Sequence, residues 1–483
     1  MPRERPLPSR AIPRCATSSS LNLHFVILAA YSLALMGLGL WIGRSVRGAS
    51  DFFVASRRLG PGLLFSTMLA ANIGAGSTVG ATSTAFLNGL GAWWWVGSAA
   101  VGCFVLAAWV GPSMRRIAAA QNLRTVGDYL EYRYDERVRG IIAALLWIGS
   151  IFILASQLIG LGWILDVVAG IPKPIGCAIG GLVITVYFAA GGLLTSAWVN
   201  VVQLTVKMIG FAIALPIAVS WFGGWHAVMN VRADDHAYWV FGGQNAVKYL
   251  TLLAPAFVVS PGLLQKIFGA EDDRAVRIGV GLNAVGLLLF AGVPTLLGIM
   301  ARARFPELVD SPNLALPMVF MYGLPPVAGA VALAAVFSAE VSAADAVLFM
   351  LTTSLSQDLY KRFVNPEASD ARVLTVARLA TLVSGALGVG LALFSEDLVQ
   401  TLSIFYALLG VSLFVPVVAG LYVRRTNTDA ALAAIVGGVG GLLVVQGATG
   451  GAGFGWLGPA PAGLLCAVLG WATSLIFSPK PKR

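Results

Sequence analysis

The chain has 483 residues, of which 58% are hydrophobic and only 11% are charged. A typical soluble domain carries about 25% charged residues, so this composition excludes an ordinary soluble protein and predicts a membrane protein in a lipid bilayer. The net charge of +10 does not indicate a nucleic-acid partner, because the Lys and Arg residues lie in short connections between apolar runs rather than on one basic surface.

The N-terminal segment, residues 1–20, is rich in Arg, Pro and Ser. Such a segment has too few apolar residues to form a core, and we expect it to be disordered. Residues 21–50 contain the first apolar run, which is long enough to span a bilayer and has no clear small-residue cleavage site. This pattern predicts a retained peripheral helix rather than a signal peptide.

Apolar runs of about 20 residues cross a bilayer as helices, and thirteen such runs follow one another along the chain. They are residues 23–43, 62–88, 93–114, 138–169, 174–191, 197–222, 245–267, 275–300, 326–358, 372–394, 398–423, 430–448 and 459–477. The predicted fold class is therefore an all-α integral membrane protein with about 13 transmembrane helices.

The distribution of basic residues predicts how these spans are oriented. One set of alternate connections, which includes the C-terminal tail, holds 22 Lys and Arg residues, and the other set holds nine. By the positive-inside rule the richer set is cytoplasmic. We expect a multi-pass protein of the plasma (inner) membrane, with its N-terminus outside and its C-terminus in the cytoplasm.

Two of the spans contain residues that interrupt helices. The second span has three Gly residues, together with Asn72, Ser77 and Thr78, between residues 70 and 80. The seventh span contains Pro255 and then the sequence Ser-Pro-Gly at residues 260–262. Proline removes a backbone donor, and each glycine costs about 1 kcal/mol relative to alanine in a helix. Backbone groups freed in mid-membrane are tolerated only where they line a cavity or bind a ligand.

The interrupted spans are five apart, so spans 2–6 and 7–11 form two halves of five helices, the second inverted relative to the first. Interrupted segments at corresponding positions of two halves are typical of secondary transporters, with the binding site between them. The predicted divisions are a first repeat at 51–223, a second repeat at 224–425, and two C-terminal peripheral helices with a short tail at 426–483. Within this pattern we find no motif of an enzyme.

Four stretches resemble the solute:sodium symporter family: DFFVASRRLGPGL (51–63), NIGAGSTVG (72–80), GGLLTSAWVNVVQ (191–203) and SAADAVLFMLTTSLSQDLYKRF (342–363). The resemblance covers roughly residues 51–425 in the family's order. It implies the LeuT-like fold of five plus five inverted helices, and symport of a small organic solute by alternating access. Sodium is then the expected coupling ion, and no other cofactor is implied.

The resemblance also implies the ligands of a sodium ion between spans 2 and 9. Backbone carbonyls would come from Ala70, Ile73 and Ala339, and a hydroxyl would come from Ser342. The family often has a second hydroxyl, where this chain has Ala343. It also often has an Asp in span 6, where this chain has Asn200. Both departures weaken a sodium site, since hard cations prefer several oxygen ligands.

Charged residues inside the spans lead to three alternatives. Lys207 lies in the middle of span 6, seven residues after Asn200 on the same helical face. Glu340 and Asp345 flank Ser342, and the family commonly has an acid or Ser at the position of Asp345. In the first alternative Glu340 replaces the missing oxygen and sodium binds. In the second the Lys207 ammonium replaces the sodium ion, and transport is proton-coupled or sodium-independent. In the third Lys207 and Glu340 form a structural ion pair or remain apart.

The solute is expected between spans 2, 4, 7 and 11. The candidate polar contacts are Asn72, Ser77, Thr78, Gln157, Ser260, Ser403 and Tyr406. Amides freed in the broken spans could hold a carboxylate, and few acids are available to bind an amine. The sequence therefore favours a small anionic or neutral solute. A channel or a facilitator would share this fold and stays an alternative.

Overall fold

In the computed structural model, the described residues are 23–44, 57–232, 235–395, 397–451, 453–454 and 457–477. The N-terminal segment 1–20 and the first six residues of the motif at 51–63 lie outside them. Nineteen α-helices make up most of the described residues, and short 3₁₀ and π turns connect several of them. The only β pairing among the described residues is isolated bridges, such as the one between Leu59 and Ala270.

The helices follow in chain order: α1 Leu23–Gly43, α2 Pro61–Asn72, α3 Ala81–Asn88, α4 Trp93–Val105, α5 Gly111–Ala120, α6 Val126–Arg133, α7 Glu136–Ala169, α8 Lys173–Phe222, α9 Gly224–Met229, α10 Gln244–Val258, α11 Pro261–Phe268, α12 Asp273–Phe290, α13 Gly292–Arg304, α14 Ala315–Tyr322, α15 Pro326–Thr353, α16 Asp370–Phe394, α17 Leu398–Tyr422, α18 Thr428–Thr449 and α19 Pro459–Phe477. Wide π turns cover Gly76–Gly80, Leu106–Val110 and Ser354–Val364.

Eleven helical stretches in the described chain are long and apolar enough to cross a membrane. The fold is thus all-α and multi-pass, but the predicted count of thirteen is not reproduced. Two places account for the difference. The second half of span 2 and the whole of span 3 fall within one helical stretch, Gly76–Ala120, in which a 3₁₀ turn at Gly89–Ala92 joins α3 to α4. Helix α8 runs through the boundary expected between spans 5 and 6.

Both predicted interruptions are breaks in the backbone. Helix α2 ends at Asn72, and Ile73 leaves the helical region with φ −91° and ψ 88°. The chain becomes helical again in the π turn that begins at Gly76. Helix α10 ends at Val258, and α11 begins at Pro261 after two non-helical residues. Proline at the first position of α11 suits a helix start, because its missing N–H would have no partner there.

Helix α15 is the centre of the packed core. Every residue from Ala332 to Thr353 is buried. It packs against α1, α2, α7, α8 and α16. A helix surrounded on all sides can place polar side chains only against other protein groups, so each buried polar group on α15 needs a protein partner or a cavity.

Candidate cation and solute site

The first break is held open by polar side chains. The Ser77 hydroxyl donates to the carbonyl of Asn72 at 2.8 Å and accepts from the N–H of Gly74 at 3.0 Å. The Gln157 carboxamide oxygen, on α7, accepts from the N–H of Ala75 at 2.8 Å. These bonds satisfy amides that a continuous helix would have used internally. The break is therefore an ordered, hydrogen-bonded structure, and the carbonyls of Ala70 and Ile73 remain free to face α8 and α15.

Lys207 of α8 fills the space beside this break. Its ammonium donates to the carbonyl of Ala70 at 2.5 Å, to the carbonyl of Ile73 at 3.1 Å and to the hydroxyl of Ser342 at 2.5 Å. The side chain is 0% exposed. A lysine ammonium has three N–H donors, and here each one has an acceptor.

These three acceptors are the oxygens that the family resemblance assigned to sodium. The fourth expected ligand, the carbonyl of Ala339, accepts from the Ser342 hydroxyl at 3.0 Å. A sodium ion at this position would lie against the ammonium, and two like charges about 4 Å apart repel by about 4 kcal/mol at an effective dielectric of 20. In this arrangement the residues do not fit a sodium ion.

Glu340 lies on a different side of α15. Its Oε1 is 3.0 Å from the Thr78 hydroxyl, and its Oε2 has no hydrogen-bond partner among the described residues. The carboxyl group packs on Gly160, where an added Cβ would approach it to 3.0 Å. Lys207 forms no ion pair with a carboxylate within 4.0 Å in the described part of the chain, although the charge of Glu340 acts on it. Glu340 therefore contacts the broken span rather than Lys207.

Asp345 and Asn200 belong to a second polar group one to two turns away. The Ser196 hydroxyl donates to Asp345. The Asn200 amide donates to the hydroxyl of Thr67 at 3.0 Å and to that of Ser196 at 3.2 Å. These bonds join α2, α8 and α15, so Asn200, at the position where the family often has an Asp, serves here as a hydrogen-bonding link.

A cavity lies between the two breaks, bounded by α4, α7, α11, α15 and α17. It is lined by five of the seven residues predicted to contact solute: Asn72, Ser77, Gln157, Ser260 and Tyr406. The other two lie elsewhere. Thr78 is fully buried against Glu340, and the Ser403 hydroxyl donates to the carbonyl of Val399 within its own helix at 2.8 Å.

The cavity also contains a cation that sequence reasoning missed. The predicted span 245–267 ends just after Lys266, whereas α11 extends past this residue and Lys266 is 1% exposed. Its ammonium donates to the carbonyl of Thr67 at 2.8 Å, and it lines the cavity together with Gly262, one turn earlier in α11. The i to i+4 spacing within SPGLLQK could have indicated a shared face with the break.

Comparison with known proteins gives a consistent result. The sodium:solute symporter family matches residues 52–438. The sodium/pantothenate symporter of Escherichia coli (strain K12) is 29% identical, covering 85% of this chain and 88% of that protein. The osmoregulated proline transporter OpuE of Bacillus subtilis (strain 168) is 22% identical, covering 88% of this chain and 89% of that protein.

Two solved structures share the fold. One is the substrate-bound outward-open state of a Na⁺-coupled sialic acid symporter, with a TM-score of 0.79 and 18% identity, covering 95% of this chain and 99% of that chain. The other is a nucleobase-cation-symport-1 family transporter in a closed conformation, with a TM-score of 0.61 and 15% identity, covering 86% of this chain and 92% of that chain. Both are LeuT-like transporters, so the predicted fold class is confirmed.

Proposed function

The chain belongs to the sodium:solute symporter family, and from this premise we propose that it carries a small organic solute with a carboxylate or similar anionic group through the cavity between its two broken spans. The protein is a multi-pass secondary transporter. The finer assignments concern the solute class, the coupling ion and the orientation.

The cavity lining is the observation that carries the solute class. Lys266 contributes a positive charge, and Gly262 lies at the N-terminus of α11, where backbone N–H groups and the helix dipole favour an anion. No Asp or Glu occurs among the described residues that line the cavity. Asp345 acts on Lys266 by charge, but it lies behind the lining, against Ser196. A cationic solute would find no counter-charge on this surface.

The polar residues of both breaks supply further contacts. The Ser260 hydroxyl, the Asn72 amide and the Tyr406 phenol surround the same volume. Tyr406 packs on Phe257 with 5.4 Å between ring centroids and on Trp95 with 6.5 Å. Such a lining of aromatic surface with a few placed polar groups is typical of small-molecule sites. Alternating access would move the two halves around this volume.

Uptake into proteoliposomes tests the solute class. A panel of radiolabelled monocarboxylates should compete with one another, whereas their methyl esters and amides should compete at least about tenfold less well, since one charge-assisted contact is worth about 1.5–3 kcal/mol. Lys266→Met should raise KM strongly and Lys266→Arg weakly. Ser403→Ala is the matched control, because this hydroxyl bonds only within its own helix. Equal competition by acids and esters contradicts the proposal.

Accumulation above the external concentration would distinguish active transport from a facilitator. The coupling ion is tested by separately imposed sodium and proton gradients. Family membership favours sodium, as in the relatives named sodium symporters, and the contacts of Lys207 favour the proton-coupled or sodium-independent alternative. Uptake that does not depend on sodium excludes sodium coupling. Proton-dependent uptake that is retained in Lys207→Ala excludes Lys207 as the proton carrier.

The predicted topology is part of the same proposal: plasma (inner) membrane, N-terminus outside and C-terminus cytoplasmic, with repeats at 51–223 and 224–425. Single cysteines at exposed Arg304 and Arg372 provide a test, since these residues lie at helix ends of opposite predicted side. A membrane-impermeant thiol reagent added to intact cells should label the cysteine at 304 and not the one at 372.

A further inference from the structure

The cation position between α2 and α15 is already filled by the protein itself. The Lys207 ammonium contacts three oxygens that belong to two different elements, the break after α2 and the middle of α15. None of the three is charged, and together they supply one neutral acceptor for each of the three ammonium hydrogens. A cage of neutral oxygen atoms of this kind resembles a site for a free monovalent cation more than it resembles an ion pair.

We infer that the Lys207 ammonium is a covalently attached substitute for the sodium ion, so that this chain binds no sodium between α2 and α15. The inference rests on the proposed function for its role in transport, but its molecular content concerns ion binding alone. The lysine nitrogen stays attached to the protein throughout the cycle, whereas a free ion would enter from one side and leave on the other.

The neighbouring residues agree with a tethered cation. The side chain of Ala343 offers no oxygen, which leaves the cage with too few ligands for sodium but with one acceptor for each of the three ammonium hydrogens. Asn200 adds no negative charge beside the cage, and its amide N–H groups donate to the hydroxyls of Thr67 and Ser196.

The position of Lys207 on α8 explains its reach. Asn200 and Lys207 are seven residues apart and so lie on one helical face. Asn200 contacts Thr67 in the body of α2, and Lys207 contacts the carbonyls of Ala70 and Ile73 at its end. The face of α8 that carries Asn200 and Lys207 thus lies along α2 up to the break. The Lys207 ammonium reaches the point where α2 ends and its last carbonyls have no helical partner.

The test uses the purified full chain in detergent or nanodiscs. Its thermal unfolding is measured in NaCl and in choline chloride at equal ionic strength, because an ion that binds only the folded state raises Tm in proportion to the logarithm of its concentration. For the wild-type chain we expect the same Tm in both salts. A sodium-specific rise that Ser342→Ala removes overturns the inference. A rise that Ser342→Ala leaves unchanged comes from another site and supports it.

The double variant Lys207→Ala with Ala343→Ser provides the converse measurement. It removes the ammonium and supplies the second hydroxyl, so a concentration-dependent rise of Tm of a few degrees in sodium is expected. Ala343→Ser alone, in which the lysine stays, should show none, and a rise there equal to that of the double variant overturns the inference. The wild-type result stands even if the double variant fails to fold. Because the readout is ion binding, a failure of the carboxylate proposal in uptake assays leaves this result independent.

Discussion

Two buried cations in this protein are stabilised in opposite ways. Arg139, at the start of α7, is 7% exposed and forms ion pairs with Asp128, Glu131 and Asp358, each at 2.8 Å. Lys207 is 0% exposed and contacts only neutral oxygens. The first region is an electrostatic lock in which side chains of opposite charge pair directly. In the second, only carbonyl and hydroxyl oxygens contact the ammonium.

The lock joins three elements at one end of the core. Arg139 lies on α7, Asp128 and Glu131 lie on α6, and Asp358 lies in the π turn after α15. The Thr125 hydroxyl donates to Asp358 at 2.5 Å, and Arg362 adds a second cation to Glu131 at 2.9 Å. Outside the spans, burial of Glu131 opposes its ionisation, but Arg139 and Arg362 outweigh burial and lower the pKa of this carboxyl. The carboxylates of this cluster are therefore paired with arginines of the protein itself.

Removing the central cation of the lock should have the largest effect. Arg139→Ala leaves buried carboxylates without their partner, and breaking a buried pair in this way costs about 3–5 kcal/mol. We expect a marked fall of Tm in detergent. Arg137→Ala is the matched control, since Arg137 is 62% exposed and pairs with Asp135 at the surface, where a pair contributes about 1 kcal/mol or less. Equal losses in both variants would show that the cluster is not a lock.

Gly74→Ala should disturb the cation region next most strongly. A Cβ at Gly74 would lie 2.3 Å from the Cβ of Ala343 and 2.7 Å from Oε1 of Gln157. Overpacking of this kind costs about 1–3 kcal/mol, and it would displace the break from the lysine. We expect uptake to be lost with a moderate fall in Tm. In Gly281→Ala the added Cβ meets nothing within 4 Å, so that variant should transport normally. Normal uptake by Gly74→Ala would show that the break tolerates movement.

Lys207→Met should separate stability from transport. The substitution removes a buried charge that has no carboxylate partner and takes a donor away from three acceptors, of which the Ala70 carbonyl can still accept from Ser342, so the two effects partly offset and the loss of stability should be only about 1–2 kcal/mol. Uptake should nevertheless fall at least about tenfold, since the break loses one of its links to α15. Circular dichroism melting and uptake on the same preparation provide the comparison. A stability loss as large as that of Arg139→Ala would mean that Lys207 is held by a charge partner after all.

Glu340→Gln should have the smallest effect. The carboxyl makes one hydrogen bond, with Thr78, and a glutamine amide of the same size can make it too. We expect stability within about 0.5 kcal/mol of wild type and uptake within about twofold. Loss of uptake with unchanged Tm would instead show that a charge on Glu340 takes part in the transport cycle. Glu340→Ala serves as the contrast, because it also removes the packing on Gly160.

The candidate site shows where sequence reasoning ended. The positions inferred from the resemblance at Ala70, Ile73 and Ser342 converge on one point, but they converge on Lys207. Helical spacing could place Lys207 on the face of Asn200, and it left open whether the ammonium would turn to Glu340 or to the free carbonyls. The partner of the ammonium depends on the distance between α8 and α2 and on the rotamer of the lysine side chain, and a local sequence pattern determines neither.

Lys266 shows the same limit from the other side. Lys266 is the last residue but one of the predicted span 245–267, and nothing in the apolar pattern indicates that its side chain is buried. Packing of α11 on α2 buries it and provides the carbonyl of Thr67 as its acceptor. The span count differed for a related reason. Apolar length predicts how much chain can cross a membrane, but it does not show that α8 continues as one helix from Lys173 to Phe222 across the boundary expected between spans 5 and 6.

By itself the sequence determined that the chain is an all-α membrane transporter with two broken spans, because apolar length, glycine and proline act locally on the backbone. Tertiary structure alone decided which charges meet. The Lys207 ammonium reaches the carbonyls freed by the first break, and Glu340 contacts Thr78 instead, because the partners of a buried charge are set by the distances between helices far apart in the chain.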